Sequence, residues 1–320
     1  QSRILDPRRH AAAGPVMNDV ATAYAALPRL EEPQDGAALV TPSYAGDFER
    51  CRLLCETVDR FVTGATRHYL LVAGQDVARF RVLESSKRIV VDERDLLPPW
   101  LHGLPDPLSF FRRQIWLSTR TPPLRGWHVQ QLRRIAIAAK VPEAALVYCD
   151  SDVVFLKPFD LSAFWRGDAL RLYRRDGALP VGAPRGHAHW AASAGHALGL
   201  RRETPHPHDY ISTVIAWRRD TVQSMMRHIE TRHARHWVEV VAAHRHFSEC
   251  ILYGRYVDEV LNGDGHFHDS SQFCRVYWSG PRLDEESLRR FVATMEPGQV
   301  AIGIQSFTGT ELGLVRRLLT

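Results

Sequence analysis

The feature that most constrains the fold is a repeated order of short apolar runs and helical segments in the first half of the chain. The runs "GAALVTPSY", "RHYLLVA", "RIVVDE" and "ALVYC" each have a continuous apolar centre, which is typical of strands buried on both faces. Between them, "DFERCRLLCETVDRFV" and "GWHVQQLRRIAIAAKV" place apolar residues at helical spacing. This order predicts an α/β domain with a mostly parallel sheet flanked by helices, and a first strand over Ala37 to Thr41.

The 320 residues predict one main domain behind a loose N-terminal segment. Residues 1–36 are rich in Ala, Pro, Arg and acids and show little periodicity, so we expect a peripheral or partly disordered arm. Residues 37–320 form the domain, which divides into halves at 37–160 and 161–320. In the second half, "PRGHAHWAASAGHALGL" predicts loop and short helix, and "DYISTVIAWRRD" predicts a strand. The second half as a whole is expected to extend the same sheet. A helix in "FSECILYGRYVDEVL" is expected to begin after an N-cap at Ser248.

Composition places the chain among ordinary globular proteins, with 45% hydrophobic and 24% charged residues. No apolar run approaches the roughly 20 residues that a membrane-spanning helix needs, and the N-terminus has no apolar core of a secretory signal. The five cysteines are odd in number and scattered, which favours reduced thiols and a cytoplasmic location. They are Cys51, Cys55, Cys149, Cys250 and Cys274.

The net charge of +5, with a pI of about 9.1, is a modest excess of positive charge, but the basic residues are unevenly spread. Between Pro107 and Pro142 there is no Asp or Glu. The basic residues of that segment are Arg112, Arg113, Arg120, Arg125, Arg133, Arg134 and Lys140. A phosphate-bearing ligand or an anionic membrane surface would explain this run, and so would a solvated basic face. Nucleic acid is disfavoured because no recognition module accompanies the charges.

The fourth apolar run ends in two carboxylates, Asp150 and Asp152, within "ALVYCDSDVVFLKPFD". If the strand continues through them, both side chains point to one face. Two adjacent carboxylates repel each other unless a cation or a shared proton relieves the repulsion. Mg²⁺ and Mn²⁺ do so with oxygen ligands, and they commonly share their remaining positions with water and phosphates. In a parallel sheet, ligands bind beyond the carboxyl ends of the strands, which is where this pair falls.

The stretch "LVYCDSDVVFLKPF" resembles the metal-binding DxD motif of GT-A (Rossmann-like) glycosyltransferases, which use nucleotide-sugar donors. The segments "TPSYAGDFERCRLL", "GWHVQQLRRIAIA", "ISTVIAWRRD", "SECILYGRY" and "IQSFTG" are similar, in that order, to segments of a poorly characterised bacterial family of sugar transferases. The resemblance spans residues 37–309. It implies a metal-dependent glycosyltransferase that moves a sugar from a nucleotide-diphosphate donor, UDP being favoured, to a hydroxyl of a glycan, lipid-linked or small-molecule acceptor.

The resemblance also implies roles for individual residues. Asp150 and Asp152 would hold Mn²⁺ or Mg²⁺ against the donor diphosphate, in the first half of the domain. A basic side chain, Arg133, Arg134 or Lys140, would help to neutralise the leaving group, although a salt bridge on the helix surface is the favoured role for any one of them. The other residues expected at the donor are Thr41, Ser43, Tyr44, Asp47, Gln305 and Ser306. Gln305 and Ser306 could instead contact the acceptor, or simply mark a turn after the last strand.

Many GT-A enzymes add a histidine to the metal, and His266 and His268 in "GDGHFHDSS" are the candidates among twelve histidines between positions 187 and 268. Other closely spaced histidine pairs are only a weak indication of a zinc site, because no Cys or acid completes a familiar set of four ligands. An inverting transferase also needs a general base. Glu249 is the first candidate and Asp209 the second, while Glu249 could instead stabilise the dipole of its helix.

Three interpretations remain open for the second half and for the whole chain. Trp190 could stack on an acceptor sugar, although most tryptophans are core residues. A haloacid-dehalogenase-like phosphatase could use Asp150 as nucleophile, with Asp264 and Asp269 as the later acids, but its nucleophile belongs on the first strand. A non-catalytic protein that binds nucleotide-sugars or glycans is the third. No nucleic acid and no obligate protein partner are inferred, and a peripheral contact with the inner face of the membrane is a hypothesis from the basic run.

Overall fold

The computed structural model describes residues 34–110, 113–178, 185–200 and 207–319. The strands in this part of the chain are β1 (Gln34–Pro42), β2 (Val62–Thr63), β3 (Ala65–Val72), β4 (Arg88–Asp92), β5 (His102–Pro105), β6 (Gln114–Leu117), β7 (Leu124–Arg125), β8 (Glu143–Cys149), β9 (Val153–Phe155), β10 (Phe159–Asp160), β11 (Trp165–Arg166), β12 (Ala169–Tyr173), β13 (Val214–Arg218), β14 (His266–Asp269), β15 (Cys274–Tyr277) and β16 (Ala301–Ile304). The predicted arm lies almost entirely outside the described residues.

The α-helices of the same ranges are α1 (Phe48–Phe61), α2 (Val77–Phe80), α3 (Gly126–Ala136), α4 (Arg185–Leu198), α5 (Arg219–His233), α6 (Trp237–Ala242), α7 (Glu249–Arg255), α8 (Glu285–Ala293) and α9 (Leu312–Arg316). Short 3₁₀ turns join several of them, and a π-helical turn over Tyr256–Val260 continues α7. As predicted, Ser248 caps α7, its hydroxyl accepting a hydrogen bond from the Ile251 N–H at 3.4 Å.

The central sheet has five strands in the order β13, β8, β1, β3, β4. All neighbouring pairs are parallel except β13 with β8. The predicted α/β class with a mostly parallel, helix-flanked sheet is therefore confirmed. From β1 the chain moves outward through β3 to β4, then crosses back to place β8 on the other side of β1. This reversal makes a topological switch point, where the carboxyl ends of β1 and β8 border one crevice.

Helices cover both faces of this sheet because successive residues of β1 point to opposite sides. Ala37 and Leu39 pack with Leu54 and Val58 of α1. Ala38 and Val40 pack in the larger cluster on the other face. That cluster includes Leu132 and Ile135 of α3, Met225 and Ile229 of α5, and Ile251 of α7. The predicted helical spacing of α1 is confirmed, since Phe48, Cys51, Leu54, Cys55 and Val58 are all buried.

The prediction that the second half extends the same sheet holds only for β13. Strands β11, β12 and β14 form one separate sheet, and β15, β16 and β9 form another. The segment expected to be loop and short helix is the 14-residue α4. Its alanines at positions 191, 194 and 197 are small enough to pack closely in the main core, which the apolar pattern alone did not reveal.

Two further observations concern features expected from composition. All five cysteines are buried and free. Among the described residues, no helix is both long enough and apolar enough to cross a membrane.

Candidate functional site

The turn that carries Asp150 and Asp152 joins two different sheets. The central strand β8 ends at Cys149, and after the turn β9 pairs with β16 in the second sheet. The strand therefore does not continue through the pair, and the alternation argument for their convergence is wrong. Main-chain hydrogen bonds fix the position of the two aspartates instead. The Val153 N–H donates to the Asp150 carbonyl at 3.2 Å, and the Ile304 N–H donates to the Asp152 carbonyl at 3.2 Å. The pair lies at the switch point all the same.

Three carboxylates share this end of the sheet. Burial, the Asp150 charge and the Asp47 charge together raise the pKa of Asp152 to about 8. Burial also raises the pKa of Asp47, with Asp150 adding to the effect. The buried Oδ1 of Asp152 finds no hydrogen-bond partner among the described residues. An excess of negative charge with an unsatisfied buried oxygen is the arrangement that a bound cation relieves.

The residues expected beside the donor on β1 and β16 lie around these acids. The Ser306 side chain, in the turn after β16, lies near enough to Tyr44 and Asp47 to act against the rise in the pKa of each. The Tyr44 side chain as a whole is exposed. Its hydroxyl is nevertheless partly buried, and this burial and the Asp47 charge raise the pKa of Tyr44. Gln305 precedes Ser306 directly, and its N–H donates to the Tyr277 carbonyl at 3.4 Å. The structure thus brings Tyr44, Asp47 and Ser306 together.

Thr41 and Ser43 lie beneath this rim and are buried. The Thr41 hydroxyl is 2.9 Å from Nε2 of His68, and the Arg88 Nε donates to Nδ1 of His68 at 3.2 Å. Burial and the Arg88 charge lower the pKa of His68 to about 3, so its ring is neutral. Because Nδ1 accepts from Arg88, the ring proton is on Nε2 and is donated to Thr41. The Thr41 proton is then free to be donated elsewhere.

Arg134 links Asp150 to Glu249. Its two terminal nitrogens lie 2.5 Å from Oδ1 of Asp150 and 2.8 Å from Oε1 of Glu249. Burial alone would lower the pKa of Arg134, but the two carboxylates raise it above its usual value. The side chain of Glu249 is only 7% exposed, against 28% for Asp150, so the open side of this triad is at Asp150. The predicted general base is therefore joined to the predicted metal site through one guanidinium.

Arg133 is not on the helix surface, and that interpretation is wrong. It is buried and forms an ion pair with Glu93, the residue after β4, and its guanidinium lies over Trp116. Burial lowers its pKa despite the Glu93 charge. Asp92 and Asp76 are near enough to act on it electrostatically, and Asp76 accepts a hydrogen bond from the Ala45 N–H at 2.9 Å. Arg133 thus lies at the carboxyl end of the sheet, behind the turn that carries Tyr44.

The two histidines are not brought to Asp150. His266 Nε2 is 2.7 Å from the Tyr253 hydroxyl, which accepts from the Arg218 N–H. Arg218 pairs with Ala145, four residues before the end of β8, so His266 is roughly 13 Å back along the strand. Burial lowers its pKa. His268 is 2.7 Å from Asp258, a residue of the π-helical turn.

Asp209, the second candidate base, shapes its own loop. Its Oδ1 accepts from the Ile211 N–H at 3.0 Å, and its main chain pairs with that of Arg175. The later acids of the phosphatase interpretation are also elsewhere. Asp269 ends β14 and pairs with Arg171, and Asp264 lies in the turn before β14.

Arg50 belongs to the site and was missed. It lies on the first turn of α1, donates to the carbonyls of Ile304 at 3.4 Å and Thr310 at 3.2 Å, and acts electrostatically on Asp152 and Asp47. It also borders a small pocket under Asp152, lined by Val154, Ile302, Ile304, Leu312 and Val315. The sequence could have indicated Arg50 only through its position three residues after Asp47, which is about one helical turn.

The described residues would not by themselves complete the coordination of a metal ion. Within the described ranges, no three His, Cys, Asp or Glu side chains are arranged to hold an ion by themselves. That limit fits Mg²⁺ or Mn²⁺, which are commonly held by one or two carboxylates together with substrate phosphates.

Fold and site together define an α/β protein with three interacting carboxylates at the switch point of its sheet. The chain belongs to DUF6492, a family of unknown function, whose model matches residues 37–311. No curated protein matches its sequence. Among solved structures, a crystal structure of the galactosyltransferase LgtC in complex with donor and acceptor sugar analogs aligns with a TM-score of 0.46 and 13% identity. The alignment covers 88% of this chain and 95% of that one.

Proposed function

We propose that the protein is a glycosyltransferase that binds a nucleoside diphosphate sugar at the carboxyl ends of β1 and β8. The observation that carries the proposal is the meeting of Asp47, Asp150 and Asp152 at the switch point, where a buried oxygen of Asp152 has no hydrogen-bond partner in the described part of the chain. The DxD resemblance supports the same placement. UDP is the nucleotide we favour, by that resemblance alone.

Asp150 and Asp152 would hold Mn²⁺ or Mg²⁺. When bound there, the ion would neutralise charge on the diphosphate as it leaves. Arg50, held by two carbonyls and facing Asp152, adds a fixed positive charge on the same side. Tyr44, which is exposed, and Ser306, which is half-buried, form the rim and would contact the nucleoside. Thr41 and Ser43 support that rim from below, and Arg133 does so from behind.

On the acceptor side, we propose Glu249 as the base that takes the proton from the acceptor hydroxyl. The acceptor oxygen then bonds to the anomeric carbon as the bond from that carbon to the diphosphate oxygen breaks. Glu249→Gln keeps a hydrogen bond to Arg134 and removes the basic oxygen. We expect transfer to slow by about 10²- to 10⁴-fold with nucleotide binding unchanged. Weakened nucleotide or metal binding instead would assign Glu249 a positioning role through Arg134 and Asp150.

The first experiment is calorimetric titration of UDP, GDP and CDP into the protein, with Mn²⁺ and with chelator. We expect one nucleotide to bind only with the ion, and Asp152→Asn to abolish the binding. Asp264→Asn, an exposed acid before β14, is the control that should leave binding intact. If no nucleotide binds under either condition, the donor site is refuted. If a nucleotide binds but no donor sugar is ever transferred or hydrolysed, the protein is a binding protein and not an enzyme.

A further inference from the structure

An aromatic cluster lies at the N-terminal end of α3, on the face of the helix that reaches the candidate site. Trp127 is 49% exposed. Its ring centroid is 6.0 Å from that of Trp190 on α4 and 6.4 Å from that of Phe247, with both ring pairs tilted by about 35°. The sequence indicates Trp190 as the tryptophan that could stack on a sugar, whereas Trp127 is the more exposed of the two.

The cluster is connected to the site through one helical face. Trp127, Gln131 and Arg134 are spaced i, i+4 and i+7, so they follow each other along one side of α3. Arg134 binds Asp150 and Glu249. Gln131 accepts a hydrogen bond from the Glu249 N–H at 3.0 Å, and its amide donates to the Trp127 carbonyl at 3.4 Å. The rise from Arg134 back to Trp127 is about 10 Å, the length of about two sugar rings.

The residues just before Glu249 also join the aromatic cluster to the candidate site. Phe247 precedes the N-cap Ser248 and is buried against Trp127 and His128. The imidazole of His128 packs edge-on against Trp127 at 5.2 Å, with its Nε2 3.0 Å from the Arg245 carbonyl, and His187 packs edge-on against Trp190. An exposed tryptophan face suits a pyranose, since a sugar ring presents C–H groups on its faces and hydroxyls at its edge.

We propose that Trp127, supported by Trp190 and Phe247, is the platform on which the acceptor sugar stacks. This proposal rests on the proposed transferase function and adds the acceptor class, a glycan that ends in a pyranose. The donor diphosphate would then be bound at Asp150 and Asp152, where the Arg134 triad is open, and the acceptor sugar would lie on Trp127, at the other end of the same helix.

The test uses the full chain, fluorescently labelled, on an array of glycans that end in different pyranoses, with UDP and Mn²⁺ present. We expect binding to at least one glycan, a loss of at least tenfold in Trp127→Ala, and partial recovery in Trp127→Phe. Trp278→Ala is the matched control, because Trp278 is 53% exposed and follows β15, outside the α3 face. Thermal melting followed by circular dichroism verifies that each variant folds.

The outcomes separate this proposal from the function on which it rests. If no glycan binds, or if Trp127→Ala and Trp278→Ala lose binding equally, the platform is refuted. Calorimetry of UDP with Mn²⁺ on Trp127→Ala should match the parent. Metal-dependent nucleotide binding without any Trp127-dependent glycan binding refutes the platform alone. Trp127-dependent glycan binding without nucleotide binding supports the platform and refutes the transferase.

Discussion

At the scale of single residues, Asp152 gives the strongest support for the proposed ligand site. A carboxyl with a pKa of about 8 holds its proton in the folded chain at a pH where an unfolded chain has lost it. The cause is burial beside Asp150 and Asp47, not a hydrogen bond to a neutral partner. Such an arrangement costs stability at neutral pH and persists in functional sites more often than in cores.

The stability of the metal-free protein should depend on this residue. Because the folded pKa of Asp152 is raised, its contribution is complete below the unfolded pKa of about 3.9 and is lost as the pH rises toward 8. We expect Asp152→Asn, in chelator, to unfold at higher urea than the parent at pH 8 and at equal urea near pH 4. The gain at pH 8 should be on the order of a few kcal/mol, at about 1.4 kcal/mol per unit of pKa.

The control for that measurement is Asp264→Asn, which removes one exposed carboxylate outside the site. Its free energy of unfolding should follow the parent across the whole pH range. An unchanged pH dependence in Asp152→Asn would contradict the account of Asp152.

At the scale of the element, α3 carries both the core and the site. Its apolar face packs Leu132 and Ile135 against the sheet, while Gln131 and Arg134 reach the acids. Arg134 is buried between two carboxylates, so removing it leaves Glu249 charged and enclosed. Losing one partner of a buried ion pair costs about 3–5 kcal/mol, more than the pair itself contributes.

Arg134→Gln should therefore lower the free energy of unfolding by about 3–5 kcal/mol in urea titrations. The double variant Arg134→Gln with Glu249→Gln should recover part of that loss, because the unpaired charge is gone. Arg81→Gln, at an exposed position before β4, should change stability by less than about 0.5 kcal/mol. A double variant no more stable than Arg134→Gln alone would show that the buried charge is not the cause.

The elements also show what the sequence could predict. Apolar runs and helical spacing predicted β1, β3, β4, β8, α1, α3 and α7, and the acids after β8 predicted the edge of the sheet where the crevice lies. The pattern could not predict that β8 stops at Cys149, because β9 is drawn away by pairing with β16. It also could not predict the burial of Arg133 and Arg134, since their partners Glu93 and Glu249 are far away in the chain.

At the scale of the whole molecule, the C-terminal segment supports the floor of the site. Val315 of α9 is buried with Leu53 of α1, Val154 of β9 and Ile302 of β16. The same valine lines the pocket beneath Asp152. The central sheet, the second sheet and the last helix are thus joined under one carboxylate.

Val315→Ala should lower the free energy of unfolding by about 1–3 kcal/mol, because the lost methyl groups leave a cavity. Gly313→Ala, two residues earlier in α9, is the matched control. Nothing lies within 4 Å of its added Cβ, so it should be neutral or stabilising by up to about 1 kcal/mol. Thermal melts with and without UDP and Mn²⁺ measure both, and equal losses in the two variants would contradict the packing argument.

The main-chain bond between Ile304 and Asp152 has a consequence for the order of synthesis. The two residues are about 150 positions apart, yet the turn that holds the carboxylates is completed only when β16 pairs with β9. A chain emerging from the ribosome therefore has its central strands long before the turn that carries Asp150 and Asp152 is complete. If the proposed donor site binds a nucleotide, binding must wait until β16 has been made and has paired with β9.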